Sequence, residues 1–559
     1  MGSSLDDLWG QSTRNLKAVS YEGLYEDFHW KLPVSYNIGV DACDRHAQDK
    51  GKLALIYDKG NGTHEKWTFW ELMRHSNRLA NALAGLGCER GDRVAVLLSQ
   101  GPHVPIAHLA AFKLGAISVP LFTLFGSEAL TYRLNDSGSR VLVTDQENYE
   151  RIMDFRNELN HLEHVIVVDG AVSGAWFWEE LLLNAAPDFA AASTTPDDPA
   201  IIIYTSGTTG PAKGALHGHR ILPGHLPGVS LPHEFAPQQG DLFWTPADWA
   251  WIGGLFDVLF PSLHFGTPVV AHRMRKFDPE HAFELIEKWG IQNVFMPPTS
   301  LKMMRQVAHP KERWKLQLRT IASGGEPLGD ETLQWGENAL GLHINEFYGQ
   351  TECNLVVSNN RSLFSPRHNS MGRAVPGHVV AVIDDKGEPV KPGVVGEIAV
   401  KRPDPVMFLR YWNRPEATAA KFTGDWMRTG DTGKMDEEGY FYFVGRADDV
   451  ISSAGYRIGP AEIEEALVKH PGVLMSAVVG SPDSLRGEVV KAFVQLREGV
   501  QASDELAQEI RQWVKSRVGA HEYPREVEFV DAFPMTPSGK IQRNVLKRLE
   551  YDKKGTQRP

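Results

Sequence analysis

The chain has 559 residues, 42% of them hydrophobic and 23% charged, and a formal net charge of −12. That length exceeds what one core can serve and predicts two or more domains. The composition is ordinary for a soluble globular enzyme, and the acidic balance argues against a nucleic-acid-binding surface. An anionic ligand would have to be held by local lysines and arginines against the overall field.

The three cysteines, Cys43, Cys88 and Cys353, are scattered and odd in number. They offer neither a disulfide framework nor zinc spacing, which points to a reducing compartment. No apolar run reaches the ~18 residues of a membrane span. The first residues carry acids (Asp6, Asp7) and no basic stretch leading into an apolar one, unlike a signal or transit peptide. A cytoplasmic protein is expected.

In chain order, residues 1 to about 50 show little periodicity and are read as a wrapping for the first domain. Leu53–Tyr57 is a strand. Thr68 and Glu71 form a capping box ahead of a helix that places Leu72, Met73, Leu79, Ala80 and Leu83 on one face and stops at Gly85 and Gly87. Strand 93–98, helix 104–114, strand 116–120, helix 127–135 and strand 140–144 follow, an alternation that predicts a mostly parallel sheet covered by helices.

The apolar strand 200–204 then runs into Thr205-Ser206-Gly207-Thr208-Thr209-Gly210, with Lys213 and Gly214 just beyond. Glycines let a backbone turn tightly and present N–H groups, hydroxyls add donors, and a lysine adds a positive point charge. The stretch reads as a phosphate cradle. It is not a Walker loop, because Lys213 lies between Ala212 and Gly214 and no Ser or Thr follows it. Farther on, helix 279–289 leads to strand 293–296. Strand 320–323 runs into Gly324-Gly325-Glu326-Pro327, and strand 344–347 into Tyr348-Gly349-Gln350-Thr351-Glu352. Ligands collect at the carboxyl ends of strands in open α/β sheets, so these loops are expected to share one crevice.

From about 370 to 447 the texture becomes Gly- and Pro-rich with short β runs, a β-rich subdomain of an N-terminal domain spanning 1–447. Residues 448–559 read as a compact α+β domain: helix 460–469, strands 473–479 and 488–496, helix 503–518, strand 526–530 and a terminal helix. The junction is placed near Asp448.

Seven motifs in this order resemble the AMP-forming acyl-CoA synthetases of the adenylate-forming superfamily over about residues 30–550: Tyr204–Gly214, Gly325–Pro327, Tyr348–Glu352, Thr429–Asp431, Gly445–Asp448, Ser453–Arg457 and Pro537–Lys540. The resemblance implies a large α/β domain of parallel-rich sheets and a small mobile α+β cap. It implies ATP, Mg2+ and coenzyme A as co-substrates and cofactors, and a small-molecule carboxylic acid as substrate. Carried onto this chain, Thr205 to Gly210 and Lys213 would hold phosphates, with Thr208 among the catalytic residues and Glu352 reaching Mg2+. Gly325, Glu326, Pro327, Glu346, Tyr348, Gln350 and Thr351 would surround the nucleotide. Asp431 would accept from the ribose hydroxyls, with Arg446 supporting the ribose and Arg457 the phosphate side. Lys540 would bridge carboxylate and α-phosphate, and Asp448 would be the hinge. Ser453, Ala454, Gly455 and Tyr456 would line the pantetheine tunnel, and Lys515 would meet coenzyme A phosphates. Pro534 and Gly539-Lys540 also fit the spacing around lysines acetylated to silence such enzymes.

The acyl pocket bears on the substrate. Acetate-using relatives place a bulky ring where this chain has Gly349, and larger side chains where it has Gly253 and Gly324. Three missing side chains predict extra room, lined by Trp249, Trp251 and Ile252, so a medium-chain, branched or aromatic acid is expected in preference to acetate. Each further buried CH2 contributes about 0.8 kcal/mol. Cys353-Asn354, where many relatives have Thr-Gly, departs from the pattern at the pocket rim. Two other readings are an adenylating enzyme that loads a separate carrier protein and a non-catalytic nucleotide sensor; intact Glu352, Asp431 and Lys540 count against the second.

Overall fold

At Thr68 the helix begins as its side chains dictate. Thr68 Oγ1 accepts from Glu71 N at 3.2 Å, and Glu71 Oε2 accepts from Thr68 N at 2.8 Å. The helix Phe69–Gly85 buries Leu72, Leu79, Ala80 and Leu83. Gly87 follows with φ +80°, a conformation that glycine adopts without strain. The computed structural model describes residues 20–205, 212–326, 328–446, 449, 451–453, 456–483, 487–515, 517, 523–536 and 540–555.

The chain divides into two compact units. One comprises Met1–Val379 and Lys401–Asp425, the other Val380–Val400 and Trp426–Pro559. In the large unit an eight-stranded sheet has parallel strands at its centre: Pro199–Thr205, Ile117–Pro120, Arg93–Leu97, Val141–Thr144 and His164–Val167. Those strands read as continuous apolar runs because both faces are covered. Their Val, Ile and Leu side chains pack against Leu109, Phe112 and Phe260 on one side and Leu130, Leu134 and Ile152 on the other.

A second sheet of the large unit is parallel from Ile344–Gln350 through Thr320–Gly324, Asn293–Phe295, Phe243–Trp244 and Val269–His272 to Leu53–Asp58. Antiparallel strands flank this parallel run, His64–Thr68 beside Leu53–Asp58 and Cys353–Ser358 beside Ile344–Gln350, with Gly372–Ala374 pairing beyond the latter. The phosphate-loop strand and the strands that carry Gly325 and Tyr348 therefore belong to two different sheets of one unit. The large unit is α/β with parallel-rich sheets, as expected.

The small unit contains an antiparallel ladder in the order Val380–Ile383, Gly396–Lys401, Trp426–Met435 and Tyr440–Arg446. It also has a five-stranded sheet built on the long pair Val473–Asp483 and Gly487–Leu496. The helices Pro460–Val468 and Asp504–Lys515 share with that sheet a core of Ile463, Leu467, Val478, Val490, Ile510 and Val514. The unit is α+β, as expected, but it also takes in Val380–Val400 and residues 426–447, which the sequence reading placed in the N-terminal domain. No helix among the described residues is long and apolar enough to cross a membrane.

Candidate active site

The apolar run Pro199–Thr205 is answered by an antiparallel strand, Lys213–Gly218, with Thr205 opposite Lys213. A Walker loop opens a helix; this one closes a hairpin, in keeping with the sequence distinction. Ser206, Gly207, Thr208, Thr209 and Gly210 lie outside the described residues. Tyr132 OH donates to Ala212 O and Tyr204 OH to Asp136 Oδ2, each at 2.8 Å. Arg414 Nη2 donates to Asp136 Oδ1 at 3.0 Å and to Tyr132 OH at 3.2 Å. Burial, and then the Asp136 carboxylate, pushes the Tyr204 hydroxyl far above its ordinary range, so it remains a donor. A Cβ at Gly214 would stand 2.7 Å from Ile202 and 3.2 Å from the Tyr204 ring, so only glycine fits there.

Arg410–Tyr411 pairs with the returning strand of this hairpin, Tyr411 opposite Ala215. That register sets the Tyr411 ring 5.3 Å from Lys213 Nζ. Tyr411 OH donates to Glu352 Oε1, and Phe408 N donates to Glu352 O at 2.8 Å. Glu352 is 7% exposed, and its other carboxylate oxygen takes no hydrogen bond from any described residue. One tyrosine thus joins the lysine after the phosphate loop to a buried carboxylate in the turn after the second sheet. Sequence reasoning missed Tyr411, which lies 59 residues from Glu352 and carries no local motif of its own.

The loop expected after Phe347 is partly strand. Pairing continues to Gln350, and Cys353–Ser358 folds back on it, leaving Thr351 and Glu352 as the turn. Tyr348 is buried and Glu346 half-buried. Gln350 Oε1 accepts from Lys421 Nζ at 3.0 Å. Gly325 has φ +94°, and Glu326 accepts from Thr299 Oγ1 at 3.1 Å. Pro327 lies outside the described residues.

At the predicted acyl pocket the structure corrects the reading of the glycines. A Cβ at Gly253 would lie 2.8 Å from the Trp251 ring and 2.9 Å from Phe295. One at Gly324 would lie 2.5 Å from the Phe347 ring, and one at Gly349 only 2.4 Å from Leu355 N. The space beside the three glycines is filled, by rings in two cases and by the returning strand in the third. What they permit is close approach. Trp251, Phe295 and Phe347 follow one another at centroid separations of 5.8 and 5.3 Å, forming an aromatic wall. Trp249 and Ile252 are buried beside it in the same core, and Trp249 Nε1 has no hydrogen-bond partner among the described residues.

In the small unit, Asp431 and Arg446 stand opposite each other on adjacent strands and pair at 3.0 Å, with Asp431 buried. Thr429 Oγ1 accepts from Asp431 N at 3.1 Å and donates to Ile398 O at 2.6 Å. Ser453 is buried, and its strand pairs with Tyr456–Ile458, Ser453 opposite Tyr456 and Ser452 opposite Arg457. Ala454, Gly455 and the hinge candidate Asp448 lie outside the described residues. Lys515 ends the helix Asp504–Lys515 with Nζ 5.2 Å from the Tyr523 ring. Lys540 is half-buried in a short loop, where its N–H donates to Thr536 Oγ1 at 2.9 Å and its carbonyl accepts from Thr536 N at 2.7 Å.

Residues 43–412 match the AMP-binding enzyme family, and residues 462–540 match the AMP-binding enzyme C-terminal domain. The chain is 36% identical to the acetyl-coenzyme A synthetase of Bacillus subtilis (strain 168), over 97% of this chain and 96% of that one. It is 36% identical to the human mitochondrial acyl-coenzyme A synthetase ACSM4, over 93% and 91%. Its fold is similar to the crystal structure of the anthranilate CoA ligase AuaEII in complex with anthranoyl-AMP, at TM-score 0.86 and 27% identity, covering 94% of this chain and 99% of that one. With both family segments in place and relatives matched nearly end to end, the chain belongs to the AMP-binding enzyme family as an AMP-forming acyl-CoA synthetase.

Proposed function

We propose that the acid is larger than acetate: medium-chain, branched or aromatic. The observation that carries this reading is the succession of Trp251, Phe295 and Phe347 rings at the expected acyl pocket, an apolar lining suited to a longer chain or a ring. Among the relatives, one acts on acetate and one on anthranilate by name, so the choice rests on this chain's own residues. A pyrophosphate-release screen over acids graded in length, branching and aromaticity tests it. Peak kcat/KM is expected at four or more carbons, and a peak at acetate would overturn the reading.

Members of this family use ATP, coenzyme A and Mg2+. In the first half-reaction an acid oxygen bonds the α-phosphorus as the bond to pyrophosphate breaks. In the second, the thiol sulfur bonds the acyl carbon, its proton passes to solvent and AMP leaves. Positive charge is needed where two anions approach. Lys213, Thr205 and the segment Ser206–Gly210 hold phosphate oxygens, and Lys540 bridges the acid and the α-phosphate. Asp431 and Arg446 hold the ribose.

Among the described residues no three His, Cys, Asp or Glu side chains cluster as a metal site. A single buried carboxylate with one oxygen unengaged, as at Glu352, suits an ion that Mg2+-type chemistry shares mainly with phosphate oxygens and water. Such an ion would supply charge neutralisation on the triphosphate. A hinge at Asp448 lets the segment beyond it withdraw Lys540 and bring its own Ser453–Tyr456 and Lys515 to coenzyme A. Cys43, Cys88 and Cys353, buried and in no disulfide among the described residues, suit a reducing, cytoplasmic setting.

A further inference from the structure

The helical run after Trp251 changes pitch. Ile252–Gly254 is a single α turn, Leu255–Leu259 is π-helix and Phe260–Phe265 is α again. A π turn widens a helix and frequently marks a functional position. One turn beyond Gly253, whose backbone meets Trp251 and Phe295, this widened turn carries Asp257 at 3% exposure. Its neighbours in sequence, Phe256 and Val258, are fully buried and apolar.

Asp257 receives one hydrogen bond, from Asn354 Nδ2 to Oδ1 at 2.5 Å. Its second oxygen has no partner among the described residues, and neither has Asn354 Oδ1. Asn354 is 5% exposed, and Oδ1 lies 2.7 Å from where a Cβ of Gly349 would be. Burial raises the Asp257 carboxyl well above the usual carboxylate range, which favours the protonated form, one that can both donate and accept. Apolar residues of the same shape would cost less here, and a buried polar group left unmatched calls for an explanation.

We propose that Asp257 and Asn354 form a hydrogen-bonding subsite of the acyl pocket that takes an uncharged hydroxyl or amino substituent on the acid, remote from the carboxylate being activated. This rests on the pocket assignment above and narrows it, from an apolar acid to one with a polar group on an otherwise apolar body. Sites that hydrogen-bond a substrate group reject analogues lacking it more strongly than apolar pockets reject an added methyl.

The test compares isosteric pairs in the pyrophosphate-release assay: hydroxy- and aminobenzoates against the matching methylbenzoates, and hydroxyalkanoates against alkanoates of equal length. The enzymes are wild type, Asp257→Leu, Asp257→Asn and Asn354→Leu. Wild type should favour a hydroxyl or amino member by about 100-fold in kcat/KM. Asp257→Leu should reverse that order, Asp257→Asn should keep part of it, and melting of Asp257→Leu should not fall below wild type. The hydroxyl and amino arms identify which group is taken. If wild type prefers larger acids but treats the members of each pair alike, this proposal fails while the pocket assignment stands. If wild type is best with acetate, the pocket assignment fails first. Unchanged ranking in a folded Asp257→Leu, or loss of folding in both leucine variants, would assign the pair to the core and overturn the proposal.

Discussion

The two units bury polar side chains in opposite charge states. In the large unit His108, His217, His219, His225 and His233 are all at most 2% exposed. Burial lowers each, to about 3 for His108, His217, His225 and His233 and to about 4 for His219, so all five are neutral at pH 7. The small unit instead gathers charged groups around one buried lysine. Lys491 Nζ lies 2.7 Å from Glu528 and 2.6 Å from Glu550, Ser481 Oγ donates to Glu550 at 3.0 Å, and Lys547 lies 3.1 Å from Glu488. The large unit does hold buried charged groups in pairs, among them Lys113 with Asp44 at 2.6 Å and Asp241 with Arg319 at 2.7 Å, but its distinguishing feature is the uncharged imidazoles. A neutral imidazole in a core is exposed to acid long before a paired carboxylate is.

The largest expected effect is therefore that acid separates the units. A histidine lowered on folding keeps its full contribution above the unfolded value of 6.5 and loses it as pH falls, because only the unfolded chain takes the proton. At pH 5 each of the five costs at most about 2 kcal/mol, several kcal/mol together. For Glu528 and Glu550 burial acts to raise the carboxyl, but hydrogen bonds led by Lys491 outweigh it and hold both below 4.5. Their contribution is intact above that value and is lost as pH falls through the lowered range. Hydrogen exchange across pH 7 to 4 should show amides of the large unit losing protection from about pH 6.5, and those of the strands Val473–Asp483 and Gly487–Leu496 only below about 4.5. Simultaneous loss in both would break the contrast.

The units also differ in the chemistry assigned to them. With the triphosphate grip on the large unit and the bridging cation on the small one, Lys540→Ala should lower adenylation about 1,000-fold, the upper range for removing one transition-state donor. Conversion of supplied acyl adenylate to thioester should stay within about twofold. Measuring the half-reactions separately decides the matter, since equal loss in both would remove Lys540 from its role.

Sequence revealed most where physics is local. The capping box at Thr68, the apolar strands and the turn glycines follow from neighbours within a few residues, and each of those elements is found. The helix of Leu506, Ile510, Trp513 and Val514 follows from its period for the same reason. What stayed hidden depends on partners distant in the chain. A missing side chain at Gly253 or Gly324 reads as space until Phe295 and Phe347 are seen to occupy it. The strand after Glu352 is hidden because its pairing partner, not its composition, extends Ile344–Gln350 past Phe347. The exchange of segments 380–400 and 401–425 between units likewise leaves no local mark.

Tyr411 is the sharpest case of a long-range partner, and it yields the smallest predicted effect. Its hydroxyl fixes one oxygen of Glu352 and its ring lies under Lys213, so the two charges that would flank the triphosphate share one support. Tyr411→Phe keeps the ring and removes only the hydrogen bond. A hydrogen bond to a charged group is worth about 1.5–3 kcal/mol, part of which water will replace around a loosened carboxylate. The expected result is a rise of about tenfold in KM for ATP and in the Mg2+ concentration needed for half-maximal adenylation, equivalent to about 1.4 kcal/mol. The thioester half-reaction and the melting temperature should change little, because neither uses the Glu352 carboxylate as a phosphate-side anchor. If instead both half-reactions decline together with stability, Tyr411 serves packing, and the contrast between a phosphate-gripping large unit and a cation-bearing small unit loses its best-defined contact.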